Sequence, residues 1–126
     1  MTVVDEIGRS RYVSLTTYRK DGTAVATPVW HVLHDGELFI VSDADAWKVK
    51  RIRNSGRVVV TVCSFRGAIA PGAPSAEGTA RVLDDAGTKA ARALIARKYA
   101  MSRIGNWFTK VLHLRKPAVV GIAVTF

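Results

Sequence analysis

The sequence predicts a mainly β fold, an antiparallel barrel of about six strands with flanking helices. Three observations carry this. Asp21-Gly22 and Asp35-Gly36 each sit between segments rich in Val, Thr, Leu and Phe, and this dipeptide supplies the positive φ angles of tight hairpins. Arg57–Phe65 (RVVVTVCSF) is strongly β-branched, as a central strand is. Turn signals recur at close intervals, with a short basic helix after the third apolar run and a longer helix before the last.

Taken in order, Val3–Ser10 reads as an amphipathic lead-in helix, with Thr2 as N-cap and Asp5 and Glu6 in the favourable first turn. Tyr12–Tyr18 alternates, Val13, Leu15 and Thr17 on one side and Ser14 and Thr16 on the other. Thr23–Leu33 reads as one long strand interrupted at Pro28. Proline cannot donate to a ladder, so it belongs at an edge, bulge or bend, and the break leaves backbone groups for something other than a neighbouring strand. Leu38–Val41 is apolar throughout, as expected of a strand covered on both sides. In the helix Ala46–Asn54, Ala46, Val49 and Ile52 or Arg53 fall at core spacing, Lys48, Arg51 and Ser55 share another face, and Gly56 is the expected stop. Arg66–Ser75, with Pro71, Gly72 and Pro74, is a loop. Ala76–Leu83 is a strand with Ala80 and Val82 facing one way. Asp84 or Asp85 caps the helix Ala86–Met101, in which Ala90 and Leu94 mark a buried face and Arg97-Lys98 a cationic one. Asn106–Leu114 is ambiguous between loop and short helix, and Ala118–Phe126 is the last strand.

At 126 residues the chain is expected to be one domain, 1–126, large enough for a real core and too small for two. Although 48% of residues are apolar, no uninterrupted run approaches the roughly 20 residues of a membrane span. Met1–Arg11 lacks the apolar centre of a signal peptide, and Cys63, the single cysteine, fits a reducing compartment, so the expected location is the cytoplasm. The formal net charge is +9, and it is unevenly distributed. Lys48, Lys50, Arg51, Arg53 and Arg57 occur between Ala46 and Arg57 with no acid, and eight more basic residues follow Asp85, again with none. One-signed regions of this kind gather anions: phosphates, polyanionic cofactor tails or nucleic acid.

Lys48 is the leading candidate for chemistry. Most charged residues simply face water. Against that stands its position in the first turn of a helix that follows a buried strand, where backbone N–H groups and an ammonium can together hold a phosphate. His31 and His34 lie in opposite registers, and no cysteine pair or acidic partner stands at metal-ligand spacing, which argues against zinc. His31 reads as a packed strand histidine, His113 as surface, and Cys63 as an inert core thiol for which no base can be named. Trp30, Trp47 and Trp107 are apolar anchors, although Trp30 beside the proline break could wall a planar ligand. Phosphate-binding loops of the Walker or dinucleotide type are absent. An enzyme built from these residues must therefore draw its reaction from a bound cofactor.

The segments TTYRKDGTAVATPVWHV, DGELFIVSDADAWK, WKVKRIRNS, RVVVTV and EGTARVL occur in an order that resembles the pyridoxamine 5'-phosphate oxidase-like split barrels. They resemble most the small type that uses the deazaflavin coenzyme F420, and they also fit flavin mononucleotide (FMN) relatives. The resemblance covers roughly Tyr12–Leu83 and implies a six-stranded antiparallel split barrel. By this resemblance Lys48 matches the lysine on the cofactor phosphate, with Ser42 placed to assist. Thr27, Pro28, Val29 and Trp30 match the strand along the ring, and Arg51 and Arg53 are placed to reach phosphate or the acidic tail. Ser55-Gly56 stands where relatives commonly carry Asn-Pro, and Gly67–Ser75 is a candidate lining of the substrate opening. The implied activity is hydride transfer between F420 and a small unsaturated or carbonyl substrate, in a homodimer with the cofactor at the subunit interface. The proton donor stays open among Tyr18, Tyr99, His31 and solvent. Two other readings remain: the same barrel holding FMN, and a non-catalytic cofactor- or nucleic-acid-binding module. The last needs exposed aromatics interleaved with cations, and only Trp47, Tyr99 and Trp107 qualify.

Overall fold

The computed structural model describes residues 2–64, 66–100 and 119–126. Its elements are α1 (Val3–Arg9), β1 (Val13–Tyr18), β2 (Ala24–Val29), β3 (His31–His34), β4 (Glu37–Asp43), α2 (Trp47–Asn54), β5 (Arg57–Val62), β6 (Ser75–Val82), α3 (Asp85–Ala100) and β7 (Val119–Thr125). The expectations for Asn106–Leu114, Trp107 and His113 fall outside the described residues.

Local chemistry sets most of these boundaries. Thr2 Oγ1 accepts from the Asp5 amide while the Asp5 carboxylate accepts from the Thr2 amide, a reciprocal capping box at the start of α1. Asp84, not Asp85, caps α3, its Oδ1 accepting from the Gly87 amide at 2.8 Å. Asp35 (φ 50) and Gly36 (φ 79) are both left-handed, as a two-residue hairpin turn demands. In the β1–β2 hairpin only Gly22 (φ 88) is left-handed; the turn is longer, closed by Gly22 N–H to Arg19 O at 2.9 Å and by the Asp21 side chain accepting from Thr23. Gly56 does not stop α2 by a left-handed turn. The cap is Ser55, in extended backbone (φ −145), and Gly56 is needed because any Cβ there would lie 2.9 Å from the carbonyl oxygen of Ala80.

All seven described strands form one antiparallel sheet in the order β2-β1-β5-β6-β7-β4-β3. Seven replaces the expected six because Thr23–Leu33 is two strands with different partners: Val29 sits opposite Val13 of β1, whereas His31 sits opposite Ile40 of β4. The break falls at Trp30. Pro28 stays in register opposite Ser14, tolerated because β2 is an edge strand. The two edges of the sheet, β2 and β3, are thus one residue apart in the chain. The sheet must curl until they meet, and among the described residues no ladder joins them. The barrel is therefore a split one, as the resemblance implies, continuous through the backbone at Trp30.

The inner face carries the core: Leu15 opposite Val60, Ile40 opposite Ile122, with Ile7 of α1 and Val49 and Ile52 of α2 packed against it. Ile52, rather than Arg53, is the buried member of the α2 pair. On the outer face Ile95 of α3 packs with Trp30, Val32 and Val41, which explains why the fourth strand is apolar on both sides. The buried face of α3 is Thr88, Ala91 and Ile95, while Ala90, expected inside, is exposed. Small-residue contact permits this docking: a Cβ on Gly121 of β7 would lie 3.0 Å from Leu83 Cδ1 and 3.1 Å from Thr88 Cα. Gly121→Val should therefore cost about 1–3 kcal/mol by overpacking. Denaturant unfolding reads this directly, and an unchanged midpoint would remove Gly121 from the account.

One polar cluster is buried with the core. His31 is fully buried and its Nε2 donates to the Ile7 carbonyl at 2.8 Å. Lys98 reaches from α3 to donate to the Gly8 and Ser10 carbonyls at 3.1 and 3.0 Å, tying α3 to the end of α1, with its Nζ 3.3 Å from His31 Nε2.

Candidate functional site

The helix α2 is built unlike its two neighbours. Its N-cap is Ala46, which has no side-chain oxygen to offer, and its first turn holds no acid. Where Thr2 and Asp84 cap the first amides of α1 and α3, no side chain caps those of α2. Lys48 stands in this turn, half-buried. Burial pushes its ammonium below the ordinary lysine pKa; Asp43 opposes that shift and Arg51 adds to it. Ser42 is buried at the end of β4, and its hydroxyl donates to the Asp43 carbonyl at 3.3 Å.

Residues 47, 50, 51 and 54 share one face of α2, and against this face lies the turn that follows β1. Between them is a cleft of about 430 Å³ lined by Tyr18, Arg19, Lys20, Trp47, Lys50, Arg51 and Asn54. Its four cations face no lining carboxylate. Arg51 is fixed at the floor by donating from Nε to the buried Thr17 hydroxyl at 2.7 Å. Trp47 is 71% exposed, with the Lys50 ammonium 4.4 Å above its ring, so it is not the core anchor its size suggested.

Not every residue named from sequence joins this cleft. Arg53 is exposed on the other side of α2, in an open groove with Gly56, Arg81 and Asp84. Trp30 is half-buried and packs in the cluster around Ile95. Thr27 and Val29 face inward on β2, and the Thr27 hydroxyl is buried with no hydrogen-bond partner. Pro28 points outward and is exposed, the Gly67 turn of the 66–74 loop lying against it. Thr17 lies opposite Val25, two residues from Thr27 on the same face, so the strand assigned to the ring and the helix assigned to the phosphate meet through the end of β1. Sequence reasoning passed over Thr17, Arg19, Lys20 and Asn54, and named Tyr18 only as a candidate proton donor. The available signal was the pairing of an RKDG turn with a basic helix, each unremarkable alone. His31, a candidate proton donor, is removed from that role by full burial, which with the Lys98 charge holds its pKa down to about 3, and its Nε2 is engaged by the Ile7 carbonyl. Burial also pushes the Cys63 thiol up, away from the reactive thiolate. No group of three or more His, Cys, Asp or Glu that could hold a metal occurs among the described residues, and no described helix is long and apolar enough to cross a membrane.

The curled sheet with flanking helices and a chain-continuous seam defines a split-barrel protein. Residues 2–125 match the family model described as pyridoxamine 5'-phosphate oxidase, and the chain belongs to that family. No curated protein matches the chain. Among solved structures it is similar to a conserved hypothetical protein from Mycobacterium tuberculosis (20% identity, TM-score 0.73, 99% of this chain and 80% of that one). It is also similar to an FAD-binding protein from Mesorhizobium loti (20% identity, TM-score 0.66, 98% and 86%). A third is a protein of unknown function from Agrobacterium tumefaciens (21% identity, TM-score 0.71, 97% of this chain), of which this chain spans only 51%. At these identities the likeness is one of fold.

A phosphate-bearing planar cofactor fits the residues present. The orphaned Thr27 hydroxyl, the uncapped first turn of α2, the half-buried Lys48 ammonium and the carboxylate-free cleft are each groups that an anionic ring ligand would satisfy.

Proposed function

We propose that this protein is an oxidoreductase that transfers a hydride between coenzyme F420 and a small unsaturated or carbonyl substrate. The observation that supports it most is the cleft between the β1–β2 turn and α2. Arg19, Lys20, Lys50 and Arg51 line it with no opposing acid, one helical position from Lys48. A single phosphate monoester does not call for so many cations; an extended acidic tail does. In this reading Lys48 and the first amides of α2 hold the phosphate, assisted by Ser42, and Arg51 takes an acidic group of the tail. Arg53, on the other side of the helix, has no part in it. The backbone of Thr27, Pro28 and Val29 supports the ring, with the Thr27 hydroxyl as an available donor. Bound F420 supplies the hydride. The protein's part is to fix the ring and substrate face to face and to keep water from between them. Of the proton-donor candidates, Tyr18 lines this cleft. A homodimer with the cofactor between subunits completes the proposal, since the edge strand β2 lies at the border of one curled sheet and a second copy would cover the ring.

The second reading, FMN in the same barrel, draws on the FAD-binding Mesorhizobium loti protein of like fold. Titration of the purified protein with each cofactor separates the two. F420 is expected to bind at least about tenfold more tightly than FMN, and the advantage should shrink as salt screens the tail. Tighter FMN binding overturns the F420 reading in favour of the second.

A further inference from the structure

Thr17 is 1% exposed, yet its hydroxyl is used outside the core. It faces inward at the end of β1, opposite Val25, and its Oγ1 accepts from Arg51 Nε at 2.7 Å; its contact with the Val25 carbonyl is longer, 3.5 Å. A guanidinium held by Nε has its plane fixed and both terminal nitrogens still available, which is the geometry that receives a carboxylate or phosphate through two parallel bonds. Among the described residues Arg51 makes no ion pair, and it lines the carboxylate-free cleft beside Lys50 and Lys20. A long flexible cation loses side-chain entropy when it captures an anion, and a buried anchor removes part of that cost in advance.

We propose that Thr17 is a positioning residue that locks the Arg51 fork toward the cleft, making this point selective for a planar carboxylate or phosphate oxygen pair on the bound ligand. The inference rests on the reading that the cleft takes the acidic end of the cofactor, and it adds the residue that sets how that end is gripped.

The test is a double-mutant cycle read by calorimetry with two probes, F420 and tripolyphosphate, the second carrying no ring. Thr17→Val keeps the shape and the apolar packing while removing the acceptor. It should weaken both probes about tenfold with the unfolding midpoint retained. Thr17→Ser restores the acceptor and should bind within about twofold of the native protein. In the Arg51→Lys background, where the fork is already lost, Thr17→Val should have no further effect. Native affinity in Thr17→Val, or an equal loss in both backgrounds, overturns the role of Thr17. Thr17-dependent binding of tripolyphosphate without F420 binding would retain it while overturning the cofactor assignment, and a native protein that binds neither probe overturns both.

Discussion

Lys48→Ala is expected to weaken F420 binding by about one to two orders of magnitude, the usual weight of a charge-assisted bond removed from a half-buried site. Stability should hardly move. The folded protein keeps this ammonium partly out of water, which is why its pKa is lowered chiefly by desolvation, and truncation relieves that cost. The same shift gives binding a pH signature. The folded ammonium loses its proton at a lower pH than an ordinary lysine, so affinity should fall on the alkaline side earlier than free lysine would predict, and Lys48→Arg should abolish that early fall. An unaltered dissociation constant in Lys48→Ala would sink the proposed phosphate contact, and with it the argument that α2 is left uncapped for a ligand.

Acid should destabilise the protein before most of its carboxylates protonate, because of His31. Burial first, and the Lys98 charge second, hold its pKa down from 6.5 to about 3, against a smaller opposing effect of the bond to Ile7. The native imidazole is therefore neutral where the unfolded one is charged. Below pH 6.5 the unfolded chain binds a proton the folded chain does not, so stability present above that pH is lost as pH falls towards 3. The loss is on the order of 4–5 kcal/mol over the whole window, a large part of the total for a domain of this size. Lys98 acts at the other end. Its pKa is lowered by burial from 10.5 to about 8, so the folded chain sheds its proton first and stability should rise between those values. Denaturant midpoints measured between pH 4 and 6.5 read the histidine contribution before most carboxylates titrate. A flat profile there, or one unchanged in His31→Phe, would contradict the assignment.

Much of this was legible in the residues because it is local. The capping box at Thr2 and Asp5, the two Asp-Gly hairpins, the basic helix after the third run and the β-branched centre at Val58–Val62 each depend on neighbours within a few positions. Each is found where periodicity and turn chemistry put it. The errors share one cause. Thr23–Leu33 has the pattern of a single strand, and the inside-outside alternation does continue through it, from Val29 in to Trp30 out to His31 in. It is split because its halves face different partners, a fact written in β1 and β4 rather than in the segment. Likewise the inner face of α3 was displaced by one position, because an alanine-rich helix offers several faces of similar hydrophobicity and Gly121 across the interface selects among them. Trp47 was read as an anchor for its size, yet its place on the face of α2 turned from the sheet leaves it 71% exposed.

By itself the amino-acid order determined which segments become strands, where the chain reverses, and that cations gather near the start of one helix, since dihedral preference and hydrophobic period act over a few residues. Only the tertiary structure decided that Thr17, Arg19 and Lys20 stand against Arg51 while Arg53 faces a different groove. The physical reason is the curl of the sheet: the two edges meet at Trp30, and where α2 then rests on the end of β1 depends on the twist and packing of every strand between them.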